Sequence, residues 1–433
     1  MDVGADEFAE TLSFLHDIID EADFVGLDIE FTGLRSNSSR PQQISLFDLP
    51  SEWYMKTRQS VQQFTICQIG LSVFSSIEGE SNKYVAHSCN FFLFPTTFGI
   101  LDSEFSFQAS SVQFLNQYGF DYNKFLKNGI PYMNEEQEKK IRESILRGNW
   151  RVRSSLDKDQ IKVVIDKVTR WLDLAEEGDR MTLPGIAESY DEFKQNIHNL
   201  FPVIIDTKNV TKDIWKEMRF PRVSNLSEVY DVLSSDLNPT NSTGPEIIHA
   251  SECEKYAETK CPHEAGYDAF LCGSVLLKVA HLLLERVHDA GSVDELTFSQ
   301  YLDVLEPYVN QVNLIRAGVP KIVNYPSIRP PVLILTVKRW PGVTEHQVYR
   351  EFQNLCKFDV RRFTQNQFLL LTNKFKDARS VLKEYRSHPT LQVALYRYWK
   401  HSPNITCLLK VCSIITTWAI VAFVLGRSSP RVR

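Results

Sequence analysis

Cysteine is scarce in this 433-residue chain: there are eight, none in a CxxC pair or in a Cys/His cluster with zinc-ligand spacing. That scarcity excludes a disulfide-stapled secreted domain and a structural zinc module, and reads as reduced thiols in a cytosol-facing protein. The N-terminus, MDVGADEFAETLSFLHDIIDEADFVGLDIE, lacks an apolar core flanked by basic residues, so it is neither a secretory signal nor an Arg-rich transit peptide. Acids are nearly missing towards the C-terminus: Val312 to Lys410 holds 17 Lys/Arg against 5 Asp/Glu, and no acid follows. The net charge of −6 therefore conceals an acidic body joined to a basic module, and such a module suits a polyanion or a membrane surface. At 43% hydrophobic and 24% charged, the chain is neither disordered nor collagen-like, and its length exceeds one compact core.

Charge is absent altogether from Val411 to Gly426, VCSIITTWAIVAFVLG, and only Lys410 interrupts the wider stretch 405–426. At about 1.5 Å per residue that stretch reaches roughly 33 Å, against a bilayer core of about 30 Å. It is apolar on every face, follows Pro403 and Asn404, and precedes the basic tail RSSPRVR at 427–433. These features predict a single transmembrane anchor rather than the buried helix of a soluble domain, with the body on the cytosolic side. Basic residues flank both ends, so charge does not choose between endoplasmic reticulum and mitochondrial outer membrane.

The body alternates helix and strand patterns. A helix through Phe8–Glu21 leads to the apolar strand Phe24–Ile29, a helix around Trp53–Gln63, and two strand-like runs, FTICQIGLSVF and KYVAHSCNFFLFP. Helices are predicted from Ser110 through Lys127, from Asn134 to Gly148, around Ile161–Glu177 and over Glu264–His288, with a short strand at Pro202–Asp206. After a Pro-rich connector at 311–330, residues 331–402 read βαββαβ, ending in the strand LQVALYRYWK. That order is the ferredoxin-like path of RNA-recognition modules, with Trp340 and Phe368 as the best candidates for its stacking aromatics. For the module alone, RNA binding and protein contact stay equally open.

Two segments carry chemistry. In FVGLDIEFTGL, Asp28 and Glu30 lie two apart on an apolar strand, so both carboxylates leave one face. Paired oxygens at that spacing suit Mg²⁺ or Mn²⁺, although for this common pattern taken alone an edge strand with one wet face is the ordinary explanation. In CPHEAGYDAFLCG, His263 and Asp268 open an apolar helix, where a first-turn acid can reach a metal and a histidine can take a proton from water. A helix-start cap and a satisfied histidine are the ordinary alternatives.

Together with GFDYNKFLKNGIPYMN at Gly119–Asn134 and FPVIIDTK at Phe201–Lys208, these segments resemble the DEDD exonuclease superfamily in its histidine-containing, CAF1-type branch. The closer resemblance is to the poly(A)-specific ribonuclease family and its membrane-anchored branch, which trims the 3′ ends of PIWI-interacting RNA precursors. The resemblance implies an RNase H-like α/β mixed sheet over 1–310, followed by the module 331–402, the anchor 405–426 and the tail. It implies a 3′→5′ exoribonuclease with two divalent ions, Mg²⁺ or Mn²⁺, that releases 5′-mononucleotides from a single-stranded RNA 3′ end. Asp28, Glu30 and Asp268 would hold metal and His263 would be the general base. A Tudor-domain partner and homodimers are further implications.

One departure from the family qualifies these expectations. The family places another acid in a phrase like VVGHNxxxD ahead of the equivalent of ESYDEFK, whereas here Ile186 runs directly into Ala187. An internal segment near 186/187 is missing, and none of Asp173, Asp179, Asp191 or Asp206 sits in a matching context. The alternative to an active trimmer is therefore a catalytically impaired, membrane-tethered RNA-binding or scaffold protein. A DNA proofreading exonuclease is a weaker third reading.

Overall fold

The structure is a computed structural model, and it describes residues 1–34, 45–95, 103–147, 186–217, 223, 225–235, 244–287, 296–312, 330–338, 343–372 and 374–428. The chain forms two units: 1–44, 50–313 and 320–325 make one, and 45–49, 314–319 and 326–433 the other.

The first unit is built on a mixed sheet of six strands: β1 (Asp2–Val3), β2 (Phe24–Phe31), β3 (Ile66–Ser76), β4 (Lys83–Pro95), β5 (Ile130–Tyr132) and β6 (Glu246–His249). β2, β3 and β4 are an antiparallel meander, and the far edge of β4 is filled end to end by three parallel strands. β6 pairs with it at Lys83–Ala86, β1 at Asn90–Phe91 and β5 at Leu93–Pro95. β4 is apolar nearly throughout because both of its faces are covered. The helix Ala265–Val287 crosses one face and buries most of its length, including Phe270, Leu271, Val275 and Leu277. It is apolar enough to pass for a membrane span, but 78% of its most apolar window is buried within this unit, so it is a core helix. On the opposite face Leu15, from the helix Phe8–Asp20, packs with Val73, Cys89, Phe91 and Leu93.

The close seat of the long helix depends on glycine. A Cβ at Gly70 of β3 would stand 1.9 Å from the Ala265 carbonyl carbon, and one at Gly26 of β2 would stand 2.4 Å from the Ala269 oxygen. β2 ends the sheet, and among the described residues no strand pairs its outer edge. On its face away from the long helix, Val25 and Leu27 stay 40% and 39% exposed.

Several expected elements take different bounds. The helix predicted over Ser110–Lys127 divides into Ala109–Gln117 and Tyr122–Asn128, because Gly119 turns left-handed (φ 82°) and Asp121 caps the second piece through Asn123 N–H and Lys124 N–H. Pro202–Asp206 is no strand: it contributes one parallel bridge, Ile205 to Gln311, and Pro202 has no N–H to extend a ladder. The helix expected at Ile161–Glu177 lies outside the described residues.

The second unit contains β7 (Leu333–Val337), β8 (Phe358–Arg362), β9 (Gln367–Thr372) and β10 (Leu391–Leu395), all antiparallel in the order β10-β7-β9-β8. The helices Glu345–Phe352 and Phe375–Tyr385 pack on one face around Leu335, Phe352, Phe368 and Val381. Phe368 is therefore core rather than a stacking platform, contrary to the sequence expectation, and Trp340 lies outside the described residues. Alternation puts Ile334, Asp359, Arg361, Leu369 and Gln392 on the other face, where the described strands offer no aromatic. Leu46 N–H donates to the Asp359 carboxylate there, and the Arg361 guanidinium lies 5.4 Å from the Phe47 ring centre. The last predicted strand stops at Leu395, since His401 Nδ1 accepts Arg397 N–H at 2.9 Å and closes the helical turn Tyr398–His401. The helix Pro403–Ser428 follows, long and apolar enough to cross a membrane, with none of its 403–423 stretch buried.

Candidate active site

Residues of even number on β2 face the long helix, since Gly26 abuts Ala269. Asp28 and Glu30 share that face, so the strand presents both acids towards the start of Ala265–Val287. That helix start is held in place by two polar side chains from otherwise apolar strands. Gln68 Oε1 accepts Ala265 N–H at 3.0 Å, and Asn90 Oδ1 accepts Gly266 N–H at 2.6 Å. The Asn90 amide in turn donates to Asp2 (2.9 Å), the Tyr256 hydroxyl (2.7 Å) and Glu264 Oε1 (2.6 Å), while Lys255 pairs with Glu264 at 2.8 Å. Two orphan N–H groups of the helix are thereby satisfied, and Asp268, one turn in, is fixed in height above the sheet.

His263 adopts a left-handed backbone (φ 66°), a conformation uncommon outside glycine. The bend aims its N–H at Asp268 Oδ2 (3.2 Å) and brings its Nδ1 within 3.8 Å of the same oxygen. Its ring meets Tyr118 and Phe114 edge-on, with centroids at 4.3 and 4.6 Å. Glu30, His263 and Asp268 each offer a ligand atom within 4.8 Å of the others. Asp28 stands outside that triple but close enough to raise the Glu30 pKa and to have its own raised by Asp268.

Among the described residues the cluster has more acids than cations to balance them. Burial, then the charges of Asp28 and Asp268, pushes Glu30 up to about 8. Burial, then Asp268, pushes Asp28 up to about 6 against the Ile29 N–H and His263. Burial also takes Asp268 to about 6, opposed by the His263 N–H. Burial pushes His263 below its ordinary value, so its ring is neutral at pH 7. Among the described residues no Lys or Arg forms an ion pair with the three acids. A set of hard oxygen donors that cannot all ionise unaided fits a divalent cation.

Of the aspartates considered for the missing fourth acid, Asp173 and Asp179 lie outside the described residues, and Asp191 is exposed and paired with Lys194. Asp206 behaves differently. It accepts Lys208 N–H at the start of the helix Thr207–Glu217, and its charge acts on the partly buried Cys272 thiol, as do those of Asp28 and Asp268. Burial first, then these acids, pushes that thiol up to about 12. Sequence reasoning missed Gln68, Asn90, Phe114 and Tyr118. The available signal was a lone amide in each apolar strand, where an unpaired polar group is costly.

Asn90→Leu should cost about 2–4 kcal/mol, because Gly266 N–H and Glu264 lose a buried partner. Denaturant unfolding checks this, and a loss under about 0.5 kcal/mol would show that the cap is dispensable.

A family model described as CAF1 family ribonuclease matches residues 3–182 and 171–276. The chain is 70% identical to the mouse (Mus musculus) "Poly(A)-specific ribonuclease PNLDC1", over 99% of this chain and all of that one. It is 22% identical to the Bombyx mori "Pre-piRNA 3'-exonuclease trimmer", over 93% of this chain and 94% of that one. A solved structure of S. pombe Pop2p, in its Mg²⁺- and Mn²⁺-bound form, shares 18% identity over 72% of this chain and 97% of that one, at a TM-score of 0.38. The mouse alignment runs over 531 positions, 98 more than this chain has residues, so about a hundred positions of the relative face no residue here. The two blocks of the family match overlap at residues 171–182. By the extent of the family match and the near-full-length mouse relative, the chain belongs to the CAF1 family of ribonucleases.

Proposed function

We propose that this chain is a divalent-metal-dependent 3′→5′ exoribonuclease that trims single-stranded RNA 3′ ends, poly(A) or PIWI-interacting RNA precursors, from the cytosolic face of an organelle membrane. The observation that carries this reading is the meeting of Glu30, His263 and Asp268, with Asp28 beside them, where β2 faces a helix start that Gln68 of β3 and Asn90 of β4 hold on the sheet. Asp28, Glu30 and Asp268 would hold the cation, which when bound supplies Lewis acidity and lowers the pKa of a water. His263, neutral at pH 7, takes the proton of the attacking water on a ring nitrogen. Tyr118 and Phe114 fix the plane of that ring, and the N–H to Asp268 ties its backbone to the acid. Tethering is supported by the exposed apolar helix from Pro403. The βαββαβ path of the second unit supports a ferredoxin-like module, and the described strands put no aromatic on its open sheet face, which favours contacts other than base stacking.

One observation favours a second reading, a tethered RNA-binding scaffold with impaired chemistry: the deficit of about a hundred positions against the mouse relative. The deciding assay incubates the full chain in detergent with a 5′-labelled single-stranded RNA and Mg²⁺. A ladder shortening from the 3′ end supports the enzyme, and RNA bound but uncut supports the scaffold.

Metal binding has its own signature in stability. Each of the three acids has a folded pKa above its unfolded value, so the ionisation penalty is absent below about pH 3, grows as pH rises past about 4, and levels off near pH 6 for Asp28 and Asp268 and near pH 8 for Glu30. A cation competes with the protons for the same oxygens. Millimolar Mn²⁺ should therefore raise Tm by several degrees at pH 8 and by less than about one degree at pH 5. An equal shift at both pH values would place the ion elsewhere.

A further inference from the structure

The stretch joining the second unit to its apolar helix is shaped as a binding site. From Arg386 to Arg433 the sequence has seven Lys/Arg and no Asp/Glu. Three of those bases, Arg397, Lys400 and Lys410, border one cleft of about 1020 Å³ between the turn Tyr398–His401 and the first turns of the helix Pro403–Ser428. The cleft wall adds Tyr398, Trp399 and Leu409. Trp399 is 80% exposed and Tyr398 56% exposed, two large rings that meet edge to face at 6.0 Å and otherwise present themselves to solvent. The turn is built rather than loose: His401 Nδ1 accepts Arg397 N–H, the His401 ring stacks on Tyr396 at 5.7 Å, and Ser402 is buried.

We infer that this cleft binds the headgroup of an anionic glycerophospholipid, a proposal that rests on the membrane-anchor reading of 405–426. The phosphate meets three cations with no competing carboxylate in the last 48 residues of the chain. Trp399 and Tyr398 have the amphipathic rings that settle at headgroup depth. Leu409 and the next apolar turns, exposed at Ile414, Ile415 and Trp418, give the acyl chains a surface to lie along. Lys410, one to two turns into the helix, reaches back to the headgroup along its own stem. The site selects lipid by charge, so it orients the second unit on the surface as well as holding it there.

The test is native mass spectrometry of the full chain in a neutral detergent with equimolar phosphatidylserine and phosphatidylcholine. Phosphatidylserine adducts should exceed phosphatidylcholine adducts about five-fold or more. Arg397→Gln/Lys400→Gln/Lys410→Gln should bring the ratio to about one, whereas Lys400→Arg/Lys410→Arg should preserve it and show that the fold tolerates change there. Both variants should still resist alkaline carbonate extraction from membranes. Equal retention of the two lipids by the unaltered chain, or a preference that survives the triple substitution, overturns the proposal and leaves the anchor standing. Release of the unaltered chain by carbonate overturns the anchor reading and this proposal with it. Displacement of phosphatidylserine by a single-stranded RNA oligonucleotide, with RNA binding lost in the triple variant, assigns the cleft to RNA and also overturns it.

Discussion

Replacing Glu30 by Gln should stabilise the metal-free protein at pH 8 and abolish its nuclease activity. At that pH the wild-type side chain is about half ionised, held up by burial and by Asp28 and Asp268. An amide of the same shape carries no charge to desolvate and relieves both neighbours. The expected gain is about 1–3 kcal/mol at pH 8, falling towards zero below about pH 3, where the carboxyls of the cluster are protonated in both states. Activity should drop by about 10³-fold or more, because one of few oxygen donors is gone and the reaction depends on placing charge. Thermal melts across pH, paired with a 3′-trimming assay, read both effects. A variant less stable than wild type at pH 8 would mean that Glu30 has a cationic partner, and retained trimming would remove it from the chemistry.

Gly70→Ala should be as damaging as the loss of a catalytic acid, by an unrelated route. The new methyl group would stand 1.9 Å from the Ala265 carbonyl carbon and 2.0 Å from its oxygen, both backbone atoms of a helix packed along most of its length. Neither β3, paired on both sides, nor the helix can yield locally. Moving the helix start breaks the bonds from Gln68 and Asn90 and lifts Asp268 away from Glu30. A loss of about 3 kcal/mol or more is expected by denaturant unfolding, with activity falling further than stability alone requires. An alanine variant that folds and cleaves normally would show that the long helix does not set the site's geometry.

The acids were legible in sequence because period two puts Asp28 and Glu30 on one face, and because the long apolar helix announces its start just after His263. β3 and β4 were legible for the same reason, as long apolar runs. β1, β5 and β6 were not: two to four residues carry no period, and each is a strand only because β4 lends it an edge. Tyr118 and Phe114 look like ordinary positions of a surface helix, and only the left-handed turn at His263 brings a ring to them. Phe368 was named only as an aromatic on a central strand, and period two cannot say which face is covered: with Leu370 it points into the core beneath the helices.

The exposed aliphatic pair on β2 ties the chemistry to solubility. A terminal strand with an open row of N–H and C=O groups is a template on which a second extended segment can add, and Val25 and Leu27 give that addition an apolar seam. In FVGLDIEF the brakes on such growth are the two acids themselves, since stacked copies would bring like charges about 4.8 Å apart. Their raised pKa values weaken the brakes in turn, as Glu30 takes up a proton near pH 8 and Asp28 near pH 6, below which the segment loses its charge. The ionisation of these two acids also sets neighbouring molecules apart, so light scattering should rise as pH falls below about 6, and a flat profile from pH 8 to 5 would free the strand edge of that role.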